Sequence, residues 1–79
     1  MERTEEEKWI AAIAATLRAE RGVAGLSQAE VSRRTGIART SYRFYEEGER
    51  QPDVLQLAAI SEAFGMSLSQ LIAEVVRRV

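Results

Sequence analysis

The sequence predicts an all-α fold, a compact bundle of five short-linked helices. The chain has 79 residues, with one proline, five glycines and plentiful alanine. Alanine favours helices, whereas proline and glycine interrupt them. Apolar residues recur at spacings of three and four, which aligns them on one face of a helix. Serine, aspartate and glycine stand between the apolar segments, where helices begin and end.

The composition limits the classes of function. Residues 1–79 are long enough for one domain with a small core. The chain has no cysteine and no histidine, so it lacks a disulfide framework, the commonest metal ligands and the commonest acid–base group. We therefore expect no enzyme activity, no cofactor and no metal site. No apolar run approaches the roughly 20 residues of a membrane span, and we expect a cytoplasmic protein with no membrane partner.

The first helix is predicted over about residues 5–22. Its apolar stripe repeats every fourth residue at Trp9, Ile13 and Leu17, with Ile10 and Ala14 beside it. Thr4 followed by residues 5–7, three glutamates, resembles a capping box. Residues 22 and 25, both glycine, are expected to bracket the helix exit.

Two short helices are predicted over about residues 28–35 and 38–46. Ser27 is expected to cap the first, with Glu30 as the reciprocal partner of a capping box. Gly36 should end it in a left-handed conformation, and Ile37 fills the turn. Two short helices joined by a glycine-containing turn constitute a helix-turn-helix, whose second helix can enter a DNA major groove.

The remaining helices are predicted over about residues 54–64 and 68–78. Gly48 should close the third helix, and a polar loop follows it. Asp53 and Ser67 are expected to cap the last two helices, with Gly65 between them. The inward positions are expected to be Val54, Leu57, Ala58 and Ile60 in the fourth helix, and Leu68, Leu71, Ile72, Val75 and Val79 in the fifth.

Positive charge is concentrated on the helix-turn-helix, although the net charge of the chain is −1. Residues 27–45 contain Arg33, Arg34, Arg39 and Arg43 against Glu30 alone, a net charge of +3. Residues 1–26 carry −1 and residues 46–79 carry −3. This distribution favours phosphate binding by the helix-turn-helix, although a basic solvated face remains an alternative.

The tyrosines of the third helix define its two faces. Tyr42 and Tyr45 are three residues apart and share one face. If they are buried, Arg39 and Thr40 face outward in the first turn, the part that reaches base edges. The other outward residues would be Arg43, Phe44 and Glu47.

Residues 27–48, SQAEVSRRTGIARTSYRFYEEG, closely resemble the helix-turn-helix of the Cro and phage-repressor family of transcription regulators. The resemblance extends over about residues 13–72 and implies a lambda-repressor-like domain that binds double-stranded DNA. It implies that Gln28 anchors a phosphate contact and that Ser41, Arg50 and the Gly48 backbone contact phosphates. It also implies an internal ion pair between Arg21 and Glu46. Residues 47 and 49 are both glutamate, which departs from the family and would repel phosphates.

The DNA-facing residues have distinct predicted roles. Arg39 can donate two parallel hydrogen bonds to guanine, and Thr40 can contact a base or a thymine methyl. The alternative for Arg39 is a phosphate contact without sequence information. Arg43, one helical turn beyond Arg39, could reach a base or a phosphate, and phosphate is the expected contact. Phe44 could touch thymine methyl groups or pack against Ile37 or the following loop, and both interpretations remain open.

A symmetric homodimer on a palindromic operator is the expected assembly, because one recognition helix reads only a few base pairs. Val75, Val76 and Val79 form the expected interface, with core packing as the alternative. The expected function is a sequence-specific DNA-binding transcription regulator, a repressor. The rival function is a protein-interaction module with the same fold, such as an antitoxin or a restriction-modification controller, which would have a protein partner.

Overall fold

The computed structural model of the chain describes the backbone of residues 3–79 and the side chains of residues 4–79. In this part of the chain the elements are five helices, in the order α1 (Arg3–Ala24), α2 (Gln28–Thr35), α3 (Arg39–Glu47), α4 (Val54–Ala63) and α5 (Leu68–Arg78). The all-α prediction is confirmed. The Cα radius of gyration is 11.6 Å, close to the roughly 12 Å of a compact chain of this length.

Local sequence chemistry explains most of the helix ends. Ser27, Asp53 and Ser67 each accept a hydrogen bond from the backbone N–H three residues later, and each forms a complete capping box. These hydrogen bonds satisfy backbone donors that the first turn leaves without partners. Gly36 and Gly48 end α2 and α3 with φ values of 76°, a left-handed conformation that other residues adopt only at a cost.

The ends of α1 differ from the prediction. Thr4 lies inside the helix, so the predicted cap at Thr4 is wrong. Gly22 is also helical, and the helix continues to Ala24 before Gly25 adopts a φ of 71°. A single glycine costs a helix only about 1 kcal/mol, which the packing of α1 on its neighbours can offset.

The core is formed by residues of all five helices. Its fully buried members include Leu17, Val31, Tyr42, Ile60 and Leu71, one from each helix. The long helix α1 packs against both α3 and α5, whereas α2 packs against α3 and α4. The fold therefore presents α3 on a support made by α1 and α2.

Several apolar residues lie outside the core, contrary to the sequence prediction. Val54 is 67% exposed, and Ile72 and Val79 are 37% and 43% exposed. Val54 is the first residue of α4, where the chain has not yet turned toward the core. Conversely, Ala12 and Thr16 are buried, because α1 buries a second stripe against α5.

Among the described residues, no single helix combines the length and apolarity needed to cross a membrane; only the α4–α5 pair, bent by 103°, meets such a test by length and composition.

Candidate nucleic-acid interface

The turn between α2 and α3 is held by hydrogen bonds between residues that are close in sequence. The Gly36 N–H donates to Ser32 O at 2.9 Å, and the Ser32 hydroxyl donates to the carbonyl of Ile37. Thr35 Oγ1 donates to Val31 O at 2.8 Å and accepts from the Ile37 N–H at 3.2 Å. Both hydroxyl groups therefore serve the turn, and the angle between the two helices is held by side chains as well as by Gly36.

At the start of α2, the capping box is complete. The Ser27 hydroxyl accepts from the Glu30 N–H at 3.1 Å, and Glu30 Oε1 accepts from the Ser27 N–H at 3.0 Å. The Ser27 backbone N–H and then its hydroxyl lower the pKa of the exposed Glu30 carboxyl. The one acidic group of the basic segment is thus engaged within its own helix.

The tyrosines of α3 face the core. Tyr42 is fully buried and Tyr45 is 5% exposed. Their ring centroids are 6.4 Å apart and the rings meet at 79°, an edge-to-face arrangement favoured by aromatic pairs. These two rings determine which side of α3 remains outside.

The first turn of α3 presents Arg39 and Thr40 to solvent. Both residues are exposed, and Arg39 has no hydrogen-bond or ion-pair partner among the described residues. Ala38 precedes the helix without a side-chain capping hydrogen bond. Ser41, predicted to contact phosphate, is half-buried. The first turn therefore offers unpaired donors to an external acceptor.

The Phe44 ring contacts two arginines near the other end of α3. The guanidinium carbons of Arg43 and Arg50 are each 5.2 Å from the centroid of the Phe44 ring, within cation–π range. Phe44 is half-buried, whereas both arginines are exposed. Arg43 Nε also lies 3.7 Å from Glu47 Oε2. The ring predicted to lie outward is thus contacted by two positively charged side chains.

The Arg21–Glu46 ion pair joins α1 to the end of α3. Arg21 donates from Nε to Glu46 Oε2 at 2.6 Å and from Nη2 to Oε1 at 3.1 Å, a bidentate geometry. Glu46 is 3% exposed. Burial alone would raise the pKa of Glu46, but hydrogen bonds, first of all from Arg21, outweigh it and the pKa is lowered. The carboxylate therefore stays charged inside the protein.

Gln28 belongs to the same network. Its Nε2 donates to Glu46 Oε1 at 2.9 Å, so the side-chain amide faces the ion pair. The glutamine thereby ties the start of α2 to the end of α3. This contact holds the two helices of the motif together, whether or not Gln28 also contacts phosphate.

Sequence reasoning missed Arg18, one helical turn before Arg21. Arg18 Nη1 donates to the carbonyl oxygen of Glu46, in the last turn of α3. A cation there also interacts favourably with the negative end of the helix dipole. The signal available was an arginine three residues before the predicted ion-pair partner, which places both side chains on the same face of α1.

The Tyr42 hydroxyl lies beside this network. Burial, followed by the nearby Glu46 carboxylate, raises the pKa of Tyr42. The hydroxyl interacts electrostatically with Glu46 and Arg21, yet it makes no hydrogen bond of normal geometry with the described residues.

The valines expected at a dimer interface divide into two groups. Val75 is 2% exposed, so it belongs to the core of the chain, and assigning it to a free surface was wrong. Val76 is 53% exposed and Val79 is 43% exposed. The helical spacing turns residue 75 toward α1 and residue 76 away from it, which the apolar run alone does not distinguish.

Comparison with known protein families matches residues 17–71 to the model described as "Helix-turn-helix", and this match covers more than half of the chain. The chain belongs to the helix-turn-helix family of the Cro and phage-repressor type. Comparison with the curated proteins and with the solved structures finds no match.

The family defines the general activity. Helix-turn-helix domains of this type bind double-stranded DNA and regulate transcription, and the family is one of regulatory domains, not of enzymes. The chain is thus a DNA-binding transcription regulator. In the described residues, no group of three or more Asp or Glu side chains is arranged to hold a metal ion.

Proposed function

We propose that this protein is a sequence-specific transcriptional repressor that binds a palindromic operator as a homodimer, with residues 1–79 acting as one domain. In this proposal α3 lies in the major groove. The observation that carries it is the orientation of α3, with two buried tyrosines on one side and Arg39 and Thr40 exposed in the first turn. The first turn is the part of a recognition helix that contacts base edges.

Base reading is assigned to Arg39 and Thr40. The Arg39 side chain makes no internal hydrogen bond or ion pair with the described residues that DNA binding would have to break. Its guanidinium group can donate two parallel hydrogen bonds to guanine O6 and N7. Thr40 contributes a hydroxyl and a methyl group beside it. Both side chains are exposed, so neither requires rearrangement of the core to reach a base.

Phosphate binding is assigned to residues on either side of Arg39 and Thr40 along the motif. Gln28 and Ser41 lie at the starts of α2 and α3, where backbone N–H groups and the helix dipole favour an anion. Arg43 and Arg50 contact the Phe44 ring near the other end of α3. Contacts at both ends of α3 would fix its orientation in the groove, which is the task of phosphate contacts.

The homodimer is assigned to the exposed part of the α5 strip, at Val76 and Val79, with Ile72 beside them. Adjacent exposed apolar residues of this kind often mark a protein interface. In the repressor proposal, the two copies present their α3 helices about 34 Å apart, the spacing of successive major grooves. A dimer bound to its operator in this way would keep RNA polymerase from an overlapping promoter.

Selection of bound sites from a random DNA pool tests this proposal. The expected product is a palindrome with half-sites about 10 base pairs apart, retained by a dimer in sedimentation experiments. Recovery of sites without two-fold symmetry, or a monomer at high micromolar concentration on the selected DNA, would remove the operator and dimer claims.

A second candidate function is a protein-interaction module, such as an antitoxin or a restriction-modification controller. The same exposed valines of α5 and the acidic residues Glu47 and Glu49 beside the DNA-facing side favour it. Binding of random DNA across salt concentrations separates the two. A steep salt dependence supports phosphate neutralisation, whereas weak and flat binding supports a protein partner.

A further inference from the structure

We propose that Phe44 is a positioning residue, whose ring holds the guanidinium groups of Arg43 and Arg50 together as one binding site for the DNA phosphodiester backbone. This inference rests on the proposed function, because it refines how the far end of α3 meets DNA. It assigns Phe44 a role through the arginines instead of a direct contact with thymine.

The geometry of the ring supports this role. Both guanidinium carbons lie 5.2 Å from the same ring centroid, so they are no more than about 10 Å apart. The negative face of an aromatic ring attracts cations, and two like charges would otherwise repel each other at this distance. The ring therefore offsets part of the repulsion and restricts two long, flexible side chains.

The backbone turn after α3 brings Arg50 to the ring. The carbonyl of Phe44 accepts from the Glu49 N–H at 3.0 Å and from the Arg50 N–H at 3.4 Å. This reversal depends on Gly48, which has a φ of 76°, and a Cβ at that position would lie 3.4 Å from Ile10 Cγ2. Arg50 is thus placed beside Phe44 by backbone geometry, independently of any DNA.

Glu47 lies close to Arg43, so the position of the Arg43 guanidinium group affects whether it can bind phosphate. Its carboxylate lies 3.7 Å from Arg43 Nε and competes with phosphate for the same guanidinium group. Both side chains are about half exposed, so water and salt weaken the pair. The ring contact with Arg43 keeps the guanidinium group in place while the carboxylate is exchanged for phosphate.

The test uses variants of the full chain. Phe44→Leu keeps an apolar side chain but removes the aromatic face, and Phe44→Tyr keeps the face. Affinity is measured for the selected operator and for random DNA at several salt concentrations. Thermal melting of each variant, and the proton shifts of the Arg43 and Arg50 side chains in the free protein, report folding and the ring contacts without DNA.

The proposal predicts that Phe44→Leu weakens operator and random DNA by the same factor, about three- to tenfold, and reduces the slope of log affinity against log salt by up to about two units for each subunit bound. Phe44→Tyr should restore both quantities. In an Arg43→Gln/Arg50→Gln background, Phe44→Leu should have no further effect, because the groups it positions are gone. This double substitution lies on exposed side chains, so it provides a folded reference even if Phe44→Leu lowers the melting temperature.

Three results would overturn the inference. Phe44→Leu could weaken the operator alone, which assigns the ring to base reading. It could leave both affinities unchanged, or leave the arginine proton shifts unchanged, either of which removes the positioning role. A wild-type chain without salt-dependent DNA binding would instead remove the proposed function, and this inference with it.

Discussion

Replacing Glu46 by alanine removes the carboxylate that joins three helices. The carboxylate accepts two hydrogen bonds from Arg21 of α1 and one from Gln28 of α2, while its own residue lies in the last turn of α3. The Glu46→Ala variant leaves Arg21 without its counter-charge and Gln28 without its acceptor. We therefore expect a loss of stability that spreads over the whole DNA-binding motif.

The magnitude follows from the burial of the two partners. Breaking a buried ion pair by removing one member costs about 3–5 kcal/mol. Glu46 is almost fully buried, but the Arg21 side chain is 25% exposed and can turn partly toward water. The lower end of the range applies, so we expect a loss of about 3 kcal/mol in the free energy of unfolding. For a domain of this size that corresponds to a melting temperature lower by about 12–24 °C.

Circular dichroism melting at neutral pH, with urea unfolding as a second measurement, gives both quantities. Glu62→Ala is the matched control, since Glu62 is an exposed glutamate of a helix and the substitution changes charge and length identically. The control should move the melting temperature by no more than about 2–4 °C, the effect of roughly 0.5 kcal/mol at a surface position. Equal, small shifts of the melting temperature for both variants would refute the claim that Glu46 holds α1, α2 and α3 together.

Two further predictions concern pH and assembly. Because the pKa of Glu46 is lower in the folded chain than its usual value of 4.5, its contribution to stability is present above about pH 4.5 and is lost as the pH falls through the folded pKa. Wild type should lose stability over that acidic range more steeply than Glu46→Gln in urea titrations, and parallel curves would contradict the linkage. Val76→Glu should raise the dimer dissociation constant by about 100-fold or more in sedimentation equilibrium, because an apolar interface would have to bury a charge. The control Val23→Glu alters a valine that is 82% exposed at the end of α1 and should leave assembly unchanged; equal effects of the two variants would remove α5 from the interface.

Helix ends were predictable where a local rule decides them. Ser27, Asp53 and Ser67 cap their helices because a side-chain oxygen three residues before a free N–H is enough to do so. Gly36 and Gly48 end α2 and α3 for an equally local reason, their tolerance of positive φ. In α1, by contrast, the local signals at Thr4 and Gly22 were outweighed by packing along the whole helix. That packing cannot be recognised from the few residues around a helix end.

Which apolar residues face the core was only partly predictable. That the two tyrosines of α3 share one face followed from their three-residue spacing, whereas their burial was a condition that only the structure could test. The α5 prediction failed at Ile72 and Val79 because an apolar run spreads around the helix, and only the position of α1 decides which part is buried. The Val54 prediction failed because the first turn of α4 lies at the edge of the core, with Val54 and Leu55 both exposed.

The contacts between distant segments came from resemblance or were not predicted at all. The Arg21–Glu46 pair was inferred from the family, since nothing in a separation of 25 residues indicates a contact by itself. The Arg18 contact and the two arginines on Phe44 depend on how α1 and the loop after α3 pack. Such contacts require the tertiary arrangement. The sequence offered only the charge of the residues and, for Arg18, its three-residue spacing from Arg21.

The central claim is that Arg39 reads a base from the first turn of α3, and the Arg39→Ala variant tests it most directly. Binding is measured to the selected operator, to operators changed at single positions, and to random DNA at one salt concentration. Arg33→Ala, an exposed arginine of α2, is the control for the lost charge. We expect Arg39→Ala to weaken the operator by about 5- to 150-fold for each half-site, to abolish the preference at one base pair of each half-site, and to change random DNA no more than the control does. Equal losses on operator and random DNA, with every base preference retained, would contradict it.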